Sequence, residues 1–103
     1  MISGKLVKNV TLKDGTVYDK GVSSEVHFDL KNPSHCALVI NGRSISARSS
    51  VALTLIGKKA PTVKTMEKWS FDGVAKSVGN KSVEPDGWDP NGNPSWLLVL
   101  GYI

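Results

Sequence analysis

Between residues 4 and 57, apolar and polar positions alternate with the period of strands that bury one face. Leu6, Val10 and Leu12 stand at even spacing, and Asp14-Gly15 follows. That dipeptide favours the left-handed conformation at both centres of a type I′ hairpin turn. It predicts Lys13 paired with Thr16, and Leu12 opposite Val17 on one face. The clearest alternation runs from Glu25 to Leu30: Val26, Phe28 and Leu30 on one face, Glu25, His27 and Asp29 on the other. Lys31-Asn32-Pro33-Ser34 reads as a turn. Cys36 to Ile40 is continuously apolar, as a central strand would be. Asn41-Gly42 is a second type I′ signal, setting Leu38 opposite Ile45 and Cys36 opposite Ala47. Val51 to Ile56 is rich in β-branched residues and Leu, which predicts another strand, ended by Gly57.

The pattern then weakens. Residues 58–66 are polar and basic around Pro61, and read as a loop or edge connection. Trp69-Ser70-Phe71 reads as a short strand, and Val78-Gly79-Asn80-Lys81 as a type II′ turn with glycine first. Residues 84–93 hold two prolines and two glycines, which exclude regular structure. A helix is expected near 94–100, with Asn93 as N-cap, Pro94 in the first turn and Gly101 just past its end. The expected fold is a single mostly β domain over 1–103, α+β only through that one short helix. Its expected form is a small antiparallel barrel or sandwich of five to seven strands closed by the C-terminal helix.

Composition narrows the function classes. At 40 % hydrophobic and 21 % charged residues the chain is not of the disordered class. No apolar run approaches the roughly 18 residues of a membrane span, so no membrane partner is expected. The start, Met1-Ile2-Ser3-Gly4-Lys5, lacks the apolar core of a signal peptide, and a lone Cys36 fits a reducing compartment; the expected location is cytoplasmic. The net charge of +4 is unevenly spread. Residues 1–57 carry seven bases against four acids, and residues 58–68 carry four lysines against Glu67. Residues 69–103 carry two lysines against four acids, together with all three tryptophans.

No catalytic set is evident. There is no Gly-x-Ser-x-Gly elbow, and Cys36 follows His35 directly, which sends the two side chains to opposite faces of a strand. Glu25, His27 and Asp29 share a face, but two histidines and one cysteine are thin for a structural zinc site. Asp89, Asn91 and Asn93 alternate as in the opening of a calcium loop. Pro94, however, stands where such a loop needs Gly, and Leu100 where it needs Glu. Asx turns leading into the helix are the plainer expectation. Neither a cofactor nor a metal is expected, and the chain is not expected to be an enzyme.

Two binding surfaces remain. The acidic, aromatic end offers Trp88, Tyr102, Asp86 and Asp89 as contacts for a protein partner or for self-association. The alternative is a nucleic-acid-binding barrel, SH3-like or OB-like, whose basic face holds Arg43, Arg48, Lys58, Lys59 and Lys64. Aromatic residues for base stacking are scarce in that basic region. The segment from Val83 to Leu98 resembles the tails of small bacterial proteins carried on mobile elements. That resemblance covers a small part of the chain and implies a bacterial or phage accessory protein, without an activity. The leading expectation is a non-enzymatic protein-interaction module.

Overall fold

The computed structural model describes residues 1–103. In chain order the elements are β1 (Ile2–Lys5), β2 (Val10–Thr11), β3 (Val17–Tyr18), β4 (Ser23–Phe28), β5 (His35–Ile40) and β6 (Arg43–Arg48). There follow α1 (Ser49–Leu55), α2 (Val63–Asp72), β7 (Ala75–Lys76), β8 (Ser82–Val83) and α3 (Trp96–Val99). The fold is mostly β, with three short helices rather than the one expected from sequence.

Four strands form an antiparallel sheet in the order β1-β4-β5-β6, and β2-β3 and β7-β8 are separate two-stranded ribbons. The sheet is open: β1 and β6 are its edges, where the sequence led us to expect a barrel or sandwich. Its register aligns Ile2, Val26, Leu38 and Ile45 across all four strands. It also aligns Phe28, Cys36 and Ala47 on the same face. That face is closed by α1, through Ala52, Leu53 and Ile56, and by Trp96 and Val99 of α3. The opposite face, with Lys5, His27, Ser44, Ser46 and Arg48, meets solvent, as one-sided antiparallel sheets do.

The β5–β6 hairpin has the register that Asn41-Gly42 predicts: Asn41 and Gly42 both have positive φ, 50° and 79°, and Leu38 faces Ile45. The Asp14-Gly15 turn is different. Only Gly15 is left-handed; Leu12 N–H donates to Thr16 C=O and Gly15 N–H to Leu12 C=O. This is a three-residue loop with a bulge, so Thr11, not Leu12, opposes Val17. A one-residue slip exchanges faces. Accordingly Tyr18 is buried and Val17 is 56 % exposed. The same loop recurs at Ser77–Lys81, with Asn80 left-handed, which replaces the expected type II′ turn. It occurs a third time at Asp89–Asn93, with Gly92 left-handed.

The run Val51–Ile56, expected as a strand, lies mostly within α1. Its buried positions, Ser49, Ala52, Leu53 and Ile56, follow the 3.6-residue period, which outweighs the β-branched composition. Gly57 ends α1 in a Schellman motif: Gly57 N–H donates to Thr54 C=O and Lys58 N–H to Leu53 C=O. The expected strand at 69–71 is the last part of α2, which Thr62 caps through its side chain and left-handed Gly73 closes. α3 is shorter than expected and is capped by Ser95 instead of Asn93. Leu30, expected on the core face, is 79 % exposed beyond the end of β4.

Candidate functional site

The C-terminal loop is organised around one carboxylate. Asp89 is buried, and its Oδ2 accepts from the Ser77 hydroxyl at 2.6 Å. Its Oδ1 accepts from the Asn91 and Asn93 amides at 2.9 and 3.0 Å. Ser77 Oγ in turn accepts from the Gly79 and Lys81 amides, so the 77–81 turn and the 89–93 turn are tied together through Asp89. Burial pushes the Asp89 carboxyl up, but the Ser77 hydroxyl and the Asn93 and Asn91 groups together outweigh it and hold the carboxyl below its usual range. Gly79 is required here by space. A Cβ there would lie 2.8 Å from Asn93 Nδ2 and 2.9 Å from Asp89 Oδ2.

These contacts decide the chemistry of the Asp89/Asn91/Asn93 alternation. Three donors, two on Oδ1 and one on Oδ2, already take most of the carboxylate's roughly four acceptor sites. The alternation is an Asx-turn device. No group of three or more His, Cys, Asp or Glu is placed to hold a metal ion. Of the Glu25/His27/Asp29 face, Glu25 and His27 pair at 3.2 Å, while Asp29 turns to the Lys31 amide. Cys36 is buried, and burial pushes its thiol up despite a hydrogen bond with Ser49, which disfavours the nucleophilic thiolate.

The residues expected to meet a partner do not form one surface. Asp89 is interior and holds the loop. Trp88 is half-buried and bridges Pro94. Asp86 is exposed, and Tyr102 is 40 % exposed just beyond the α3 Schellman turn, where its N–H donates to Leu97 C=O. The largest exposed aromatic surface lies elsewhere: Phe71, on α2, is 92 % exposed. Met66 and Trp69, three apart, turn inward, and Phe71, two beyond Trp69, points away from them. Val63, Lys64, Glu67 and Lys68 are exposed on the same helix, and Val74 follows it. Sequence reasoning missed this surface by reading 69–71 as a strand. The signals were available in Thr62, spaced as an N-cap, and Gly73, spaced as a C-terminal stop.

The basic residues are also divided. Arg43 and Arg48 stand five apart on β6, hence on opposite faces of the sheet. The Arg43 fork is engaged: it donates to Asp14 Oδ2 at 2.7 Å and to Thr16 Oγ1 at 3.2 Å. Hydrogen bonds from the Thr16 amide and from Arg43 hold the Asp14 carboxyl well below its usual range. Lys58 and Lys59 follow α1, on the covered side of the sheet, and Lys64 lies on α2 beside Lys68. The concavities are shallow. The largest, about 560 Å³, runs along Ser3, Lys5, Ser23, Glu25 and Asn41, with Val39 its only apolar side chain.

Comparison with known proteins returns no match, whether to family models, to curated proteins or to solved structures. No helix is long and apolar enough to cross a membrane.

Proposed function

We propose that this protein is a non-enzymatic interaction module whose contact surface is the exposed face of α2. The observation that carries this reading is Phe71. Burying a Phe side chain is worth about 1.5–3 kcal/mol. At 92 % exposure the isolated chain forgoes nearly all of it. Val63 at 61 % and Val74 at 53 % are further exposed apolar residues of this segment, and Lys64, Glu67 and Lys68 stand on the Phe71 side of α2 at helical spacing. The partner that fits is a protein with an apolar pocket for one aromatic ring and a rim of mixed charge.

The test is a pull-down from host lysate with wild-type protein and Phe71→Ser, each with and without nuclease. The reading requires a discrete protein that survives nuclease and is lost with Phe71→Ser. Recovery that vanishes with nuclease, or that ignores the substitution, contradicts it. The first of those outcomes restores the nucleic-acid reading through the lysines of residues 58–68.

A further inference from the structure

The end of the sheet opposite the Asn41-Gly42 turn carries a cleft of about 200 Å³ lined by Ser34, His35, Arg48, Ser50, Val99 and Leu100. We propose that it binds a small oxyanion, the shared chemistry of a phosphate monoester and a carboxylate, with Arg48 as the anchoring charge. This is independent of the α2 surface.

Four observations lead there. His35 and Arg48 are direct cross-strand partners, so both side chains rise from the solvent-facing side at this end of the sheet. Arg48 makes no ion pair, whereas the other arginine is already committed to Asp14. The histidine is oriented: Asn32 Nδ2 donates to His35 Nδ1 at 2.9 Å, and Ser34 Oγ holds Asn32 Oδ1 at 2.8 Å. With Nδ1 turned to Asn32 and Ser34, Nε2 is the ring nitrogen that no hydrogen bond within the fold engages. The walls are fixed, because the Ser49 amide donates to Ser34 C=O at 2.9 Å and the Ser49 hydroxyl to Pro33 C=O at 2.7 Å.

The remaining lining decides the ligand class. Arg48, His35 and the Ser50 hydroxyl offer donors, the Ser34 hydroxyl being already donated to Asn32 Oδ1, and none of the six residues is a carboxylate. Asp29, the acid nearest in sequence, accepts from the Lys31 amide. Leu100, just past α3, and the buried Val99 supply the apolar edge of the cleft at this end of the sheet. The volume is below the roughly 300–1,000 Å³ of sites for drug-sized ligands, so the cleft suits a single anionic group and a short apolar stem.

The experiment is a backbone-amide NMR titration with inorganic phosphate and, separately, acetate, against chloride at matched ionic strength. The expected result is saturable shifts centred on His35, Ser50 and Leu100, absent with chloride. Arg48→Ala should abolish them. Arg48→Lys, which keeps charge but loses the fork, should weaken binding about tenfold. Saturation by phosphate alone assigns a phosphate group as the ligand, and by acetate alone a carboxylate. Shifts that follow chloride, or an affinity unchanged in both Arg48 variants, overturn the proposal. Arg48→Lys serves by itself if the alanine variant loses its folded spectrum.

Discussion

In the four-stranded sheet, β4, β5 and β6 run six residues each, and the face they enclose is almost wholly apolar. Between residues 75 and 95 the paired strands are two residues long, and the buried groups include Ser77, Asp89, Asn93 and Ser95. The sheet distributes its stability over many ladder bonds and apolar contacts. The C-terminal turns concentrate theirs on one carboxylate and two serines; the Ser95 hydroxyl, for instance, donates to Pro85 C=O. A region built the second way fails at single polar atoms, whereas the sheet fails by loss of volume.

Substitutions that separate these two modes follow in order of expected size. Leu53→Ala removes a fully buried side chain from the sheet's core and should cost about 3–4 kcal/mol in urea unfolding, with hydrogen-exchange protection lost throughout. Asp89→Ala leaves the Ser77 hydroxyl and two amides without their acceptor and should cost about 3 kcal/mol. Its loss of protection should centre on residues 77–95 and spare β4 and β5. Uniform loss in both variants would erase the distinction between the regions.

Acid should select the same site. The Asp89 carboxyl titrates below its ordinary 3.8 in the folded chain. Its contribution is therefore fully present above about pH 3.8 and is lost as pH falls from there through the folded value. Urea midpoints measured from pH 6 down to 2 should fall in that window, and Asp89→Asn should flatten part of the fall. Asp14, also lowered, contributes with the same sign. Smaller still is Gly42→Ala, which forces a side chain into a left-handed position at φ 79° and should cost about 1 kcal/mol by thermal melting. Phe71→Ser should change stability by no more than about 0.5 kcal/mol, since the ring is almost fully exposed.

The sheet was legible in the sequence because its signals were redundant. The alternation over 25–30, the apolar run at 36–40 and Asn41-Gly42 agree on one register, and β4, β5 and β6 have it. The end of α3 was legible through Gly101, which is left-handed at φ 68°. Elsewhere local signals conflicted. In α1 the composition points to a strand while the spacing of Ala52, Leu53 and Ile56 points to a helix, and packing against the sheet decides for the helix. At Asp14-Gly15 one dipeptide serves two loop lengths, and Tyr18 entering the core selects the bulged one. The candidate surface was hidden for a related reason: Phe71 is visibly exposed only once 63–72 is read as a helix with Met66 and Trp69 inward. Asp89 was legible as polar and loop-borne, but its burial depends on Ser77, twelve residues away, which no local pattern reveals.

The central claim is that the exposed face of α2 is where a partner docks. The most direct measurement places a photo-crosslinking amino acid at position 71 in host cells, with position 30 as the control. Leu30 is also apolar and highly exposed, but it lies in the turn after β4. A discrete adduct from position 71, absent from position 30, is the predicted result. No adduct at 71, or the same adduct from both positions, would contradict the account.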